Sequence, residues 1–64
     1  MSDFIVLRNS TDGKEFAVRV RDIRMFCDTE TATKVTIDGY DSPVIAYVEE
    51  SVFEIGLLIR RAKN

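Results

Sequence analysis

Apolar and polar positions alternate along most of this chain, then change period near its end. Phe4-Ile5-Val6-Leu7-Arg8 is β-branched and apolar on both faces, the pattern of a strand covered on two sides. Asn9 to Lys14 reads NSTDGK, a turn cluster in which Asp12-Gly13 tolerates the positive φ of a tight hairpin. Phe16, Val18 and Val20 then alternate with Glu15, Ala17, Arg19 and Arg21, which predicts a half-buried strand paired antiparallel with the first. After a bend at Arg21-Asp22, Ile23 to Asp28 reads as a third strand with Ile23, Met25 and Cys27 on one face. Thr29 to Thr33 is a polar loop. Lys34 to Asp38 alternates again, with Val35 and Ile37 inward. Gly39 to Pro43 is a second turn, with Pro43 confined to a strand start or an edge. Val44 to Val48 is a fifth strand, with Ile45 and Tyr47 opposite Val44, Ala46 and Val48.

The last segment repeats at the helical period. Ser51-Val52-Phe53-Glu54 is a capping box, in which each side chain satisfies the other residue's backbone N–H. Glu49, Glu50 and Glu54 lie near the start and Arg60, Arg61 and Lys63 near the end, so both ends complement a helix dipole. Val52, Ile55, Leu58, Ile59 and Ala62 fall on one stripe, which predicts a helix over about 51 to 62. Gly56, inside that helix, reads as a point of close approach to the sheet. The expected fold is α+β: a five-stranded antiparallel β-meander, strongly bent or barrel-like, with one C-terminal amphipathic helix covering it.

Composition narrows what such a fold can do. At 64 residues and 7.3 kDa the chain is expected to form a single small domain with a thin core. It is 45% hydrophobic and 31% charged, which suits a folded protein and not a disordered tail. There is no histidine, so no histidine base or ligand, and Cys27 stands alone, which excludes an internal disulfide and a cysteine-rich zinc site. A lone cysteine in an apolar run suits a reducing cytoplasm. Met1-Ser2-Asp3 carries an acid where a signal peptide would be positive, and no apolar run approaches the ~20 residues that span a bilayer. Asp38-Gly39-Tyr40-Asp41-Ser42 lacks the alternating ligands and distal Glu of a calcium loop, and no phosphate-cradling glycine loop is present. No catalytic residue, cofactor, metal or small-molecule substrate is expected.

Two surface features remain. Phe53 and Leu57, four residues apart, lie opposite the core stripe beside Arg60 and Arg61. Either a bent sheet wraps more of the helix, or Phe53 staples the helix start, or these residues form a self-association or partner interface. The basic residues Arg8, Arg19, Arg21 and Arg24 crowd the first half, with Arg19 and Arg21 on the outward face of one strand, suited to acidic protein surfaces or phosphates. The net charge of −2 and the absence of interleaved aromatics disfavour nucleic acid.

Gly13-Lys14-Glu15-Phe16, then Ile23, then Thr33 to Ile37 before Gly39, then Val48-Glu49-Glu50-Ser51-Val52-Phe53-Glu54-Ile55 together resemble the small flagellar FlbD / swarming-motility SwrD family. The similarity runs from residue 13 to 59 and implies strands followed by a short helix in a non-enzymatic cytoplasmic accessory or regulatory protein. It transfers no catalytic or ligand residue. The chain departs from that pattern in a longer N-terminal hairpin loop, extra residues between Gly39 and Val44, and a helix continuing through Arg60-Arg61. Similar small proteins occur in phages and prophages. A fainter similarity is to CsrA-type RNA-binding dimers, where an arginine precedes the helix; here Val48-Glu49-Glu50 stands in that place. The expected function is protein–protein binding, with homo-oligomer formation. The alternatives are a phage- or prophage-derived modulator of a host protein and a small nucleic-acid-binding regulator.

Overall fold

A computed structural model describes residues 3–63; the leader-peptide reading of Met1-Ser2 falls outside the described residues. In chain order the elements are β1 (Phe4–Arg8), β2 (Glu15–Arg19), β3 (Ile23–Asp28), β4 (Thr33–Ile37), β5 (Val44–Val48) and α1 (Val52–Lys63). A single 3-10 turn, Val20–Asp22, joins β2 to β3. Every strand pair is antiparallel, and the fold is α+β with one C-terminal helix.

The five strands form two sheets, β1-β2 and β3-β4-β5. The meander breaks at the 3-10 turn. The Val20 N–H donates to the Asp3 carbonyl at 2.7 Å, which closes the hairpin, and the chain then turns away before β3 begins. Val20 and Arg21 therefore lie beyond the strand on which alternation placed them. The two sheets meet again at a short seam. Asn9 bridges Val48, the Glu49 N–H donates to the Arg8 carbonyl at 2.9 Å, and the Ser10 N–H donates to the Tyr47 carbonyl at 2.8 Å. The end of β1 thus lies along the end of β5, and the bend between the sheets encloses the core.

That core consists of Ile5, Leu7, Val18, Val35, Val48 and Ile55, with Phe16, Val20, Ile23, Phe26, Ile37, Ala46, Leu58, Ile59 and Ala62 packed around it. Helix α1 lies against β1 and β3. It inserts Ile55 fully and its predicted stripe partly. Its start is the predicted capping box: the Ser51 N–H donates to Glu54 Oε1 at 2.8 Å, and the Glu54 N–H donates to Ser51 Oγ at 3.0 Å. At the hairpin tip Gly13 takes φ +73°, which an L side chain adopts only with strain.

Three expectations are corrected. Strand β1 is covered on one face only: Ile5 and Leu7 are buried, while Phe4 and Val6 stay about half exposed. A five-residue strand on a two-stranded hairpin has a single helix and sheet available, and they take one side. In β3, Ile23 pairs with Ile37 but Met25 pairs with Thr36, so Arg24 is an extra residue and a β-bulge. The bulge shifts the alternation by one. Ile23 and Phe26 therefore face the core, and Met25 and Cys27 face out. Finally, a Cβ at Gly56 would meet nothing within 4 Å, so this glycine marks no close approach within the chain.

Gly56→Ala should consequently raise stability by roughly 0.5–1 kcal/mol, the helix-interior cost of glycine. Ser51→Ala should lower it by about 1 kcal/mol through loss of the cap. Urea unfolding followed by circular dichroism at one chain concentration checks both signs.

Candidate interaction surface

The exterior divides into three faces, and the elements determine which side chains each presents. On the outer face of the hairpin the register sets Phe4 opposite Arg19, Val6 opposite Ala17 and Arg8 opposite Glu15. The Arg19 guanidinium lies 5.7 Å from the Phe4 ring centroid, a cation–π distance. Arg8 Nη2 is 3.2 Å from Glu15 Oε2, and Arg8 Nη1 donates to the Gly13 carbonyl at 2.7 Å. Arg24, on the bulge, holds Asp38 Oδ1 at 3.4 Å. Arg21 lies in the 3-10 turn, beside a recess lined by Asp3, Val20, Ile23, Ala62 and Lys63. The four arginines of the first half are thus dispersed, Arg19 and Arg21 do not share a strand face, and three of the four are held against partners in the same chain. Only Arg8 and Arg19 share the outward face of the hairpin.

The second face is the helix exterior. Phe53 is 74% exposed. At that exposure it does not fold back onto the helix start, which removes the staple reading. Leu57 is half-buried and lines a groove of about 340 Å³ between α1 and β1, together with Val6, Glu50, Glu54, Leu58 and Arg61. The strand therefore does reach part of the helix exterior, at Leu57, but leaves Phe53 uncovered. Arg60 and Arg61 are exposed, and neither makes an ion pair among the described residues. Phe53, Leu57, Arg60 and Arg61 thus stand together on one flank, as their spacing predicts, with Glu50 and Glu54 and the strand residue Val6 added to them. Val6 could not be found from periodicity, because β1 read as apolar on both sides.

The third face is the outer side of β3-β4-β5, which no described element covers. Two cross-strand rows lie on it, Met25–Thr36–Ile45 and Cys27–Lys34–Tyr47. Met25, Ile45 and Tyr47 are 57%, 51% and 45% exposed. The sequence signal for this face is the alternation of Ile45 and Tyr47 against Ala46 and Val48; Met25 and Cys27 read as sharing a face with Ile23, and the bulge separates them from it.

These faces consist of apolar groups rimmed by isolated charges. Among the described residues no three cysteine, aspartate or glutamate side chains come together as a metal site would need. None of the described helices is long and apolar enough to cross a membrane. Comparisons with protein-family models, curated proteins and solved structures returned no match.

The bulge predicts a reactive Cys27. Its thiol should react with Ellman's reagent in the folded protein within a few-fold of the rate in urea. Protection of a hundredfold or more would return Cys27 to the core face and remove the bulge.

Proposed function

We propose that this chain is a non-enzymatic protein-binding module that acts through the flank of its C-terminal helix, by contact with another protein or with itself. The observation that carries this reading is Phe53: a whole aromatic ring, 74% exposed, on a helix whose core stripe is already filled. A solitary apolar side chain at a surface is ordinary. Here the ring stands four residues from Leu57 and next to a groove whose wall includes Val6 and Leu58, so the apolar surface is extended. Arginines flank it, and aromatic residues with arginine are what protein interfaces concentrate.

The resemblance to small flagellar and swarming accessory proteins supports the same class of role, a cytoplasmic regulator that works by contact. The arginines carry the nucleic-acid reading poorly, since Arg8, Arg19 and Arg24 are each engaged within the chain and do not line one phosphate track.

A photo-crosslinking phenylalanine analogue at position 53, expressed in the cells that make the protein, should give discrete protein adducts identified by mass spectrometry. The same analogue at Asp41, in the exposed Gly39 to Pro43 turn, should give none. Equal labelling at the two positions, or no adduct at either, would end the proposal.

A further inference from the structure

We infer that the occupant of this flank is a second copy of the chain, with α1 packed antiparallel on α1 about a two-fold axis at Leu57. The inference rests on the protein-binding reading of the flank and names its partner. Residues three and four positions away share one side of a helix. For Leu57 these are Glu54 and Phe53 toward the N-terminus and Arg60 and Arg61 toward the C-terminus. The set is self-complementary about a two-fold axis at this position. A two-fold axis at Leu57 keeps each side of the helix on its own side of the seam, so Phe53 meets Arg60 of the second copy and Glu54 meets Arg61 of the second copy, and each pair occurs twice. The first pair is aromatic with guanidinium, and the second is carboxylate with guanidinium.

Charge along the helix selects the same orientation. Glu49, Glu50 and Glu54 lie at its start, and Arg60, Arg61 and Lys63 at its end. Antiparallel packing brings each acidic end to the other copy's basic end and opposes the helix dipoles, whereas parallel packing sets like charge against like. The groups are available for this. Glu54 gives Oε1 to its own cap, which leaves Oε2, and Arg60 and Arg61 have no ion pair among the described residues. The groove of Val6, Leu57 and Leu58 supplies the apolar floor.

The uncovered sheet face is less suited to a second copy. Lys34 lies on its central strand, and a two-fold axis there brings two lysines together without an acid in either row.

In a Cys27→Ser background, which removes the other thiol, Leu57→Cys should form a disulfide-linked dimer on mild oxidation. Arg24→Cys in the same background should not. By sedimentation equilibrium, Glu54→Arg and Arg61→Glu should each weaken dimerisation tenfold or more, and the two together should recover most of the affinity that Glu54→Arg loses. Glu54→Arg also removes the acceptor of the Ser51 N–H, so Ser51→Ala, which breaks the same cap and leaves the charges in place, is the control and should dimerise within a few-fold of the original. A dimer in sedimentation with neither the Leu57→Cys link nor the charge rescue would overturn this two-fold arrangement while leaving the flank as a binding surface. A mass of 7.3 kDa at every concentration, with position 53 crosslinking to a different protein, would overturn self-pairing alone. Absence of adducts at position 53 would remove the binding reading itself.

Discussion

Six apolar side chains from different elements must be buried together before any part of this molecule is stable. A two-stranded hairpin is marginal in water, and so is an isolated helix of a dozen residues. Ile5, Leu7 and Val18 come from the hairpin, Val35 and Val48 from the three-stranded sheet, and Ile55 from the helix. Each side chain is worth roughly 1.5–3 kcal/mol when fully buried, and no element contributes enough of them to close a core alone. The seam at Asn9 and Val48 is what brings hairpin and sheet within reach of one another. The 3-10 turn at Val20–Asp22 gives the chain the freedom to bend there instead of continuing one flat sheet.

A core this small leaves many apolar residues outside it. Phe4, Val6, Met25, Ile45, Tyr47 and Phe53 are all substantially exposed. Their surroundings differ. Phe4 lies under Arg19 within its own hairpin. Met25, Ile45 and Tyr47 share a sheet face with a lysine at its centre. Phe53 and Leu57 have an acid and two bases at the three- and four-residue spacings that share their side of the helix, so this flank combines apolar area with charges of both signs.

The same arrangement gives three of the arginines of the first half partners within the chain. An arginine on a two-stranded hairpin always has a cross-strand neighbour. Here those neighbours are Glu15 for Arg8 and Phe4 for Arg19. The bulge at Arg24 carries its guanidinium to Asp38.

Local chemistry was legible without coordinates wherever it involves neighbours in the chain. The hairpin at Asp12-Gly13, the capping box at Ser51 and Glu54, the helix stripe and the inward pair Val35 and Ile37 all follow from spacings of two, three or four residues. So does the grouping of Phe53, Leu57, Arg60 and Arg61 on one flank. Tertiary structure alone decided the break into two sheets, the single covered face of β1, the outward turn of Met25 and Cys27, the openness around Gly56 and the arrival of Val6 beside Leu57. Each of these depends on which residues meet across long separations, as when β1 finds β5 at Asn9 and Val48. One extra residue in a ladder reverses every side chain beyond it, and alternation read along a single strand carries no record of its partner's count.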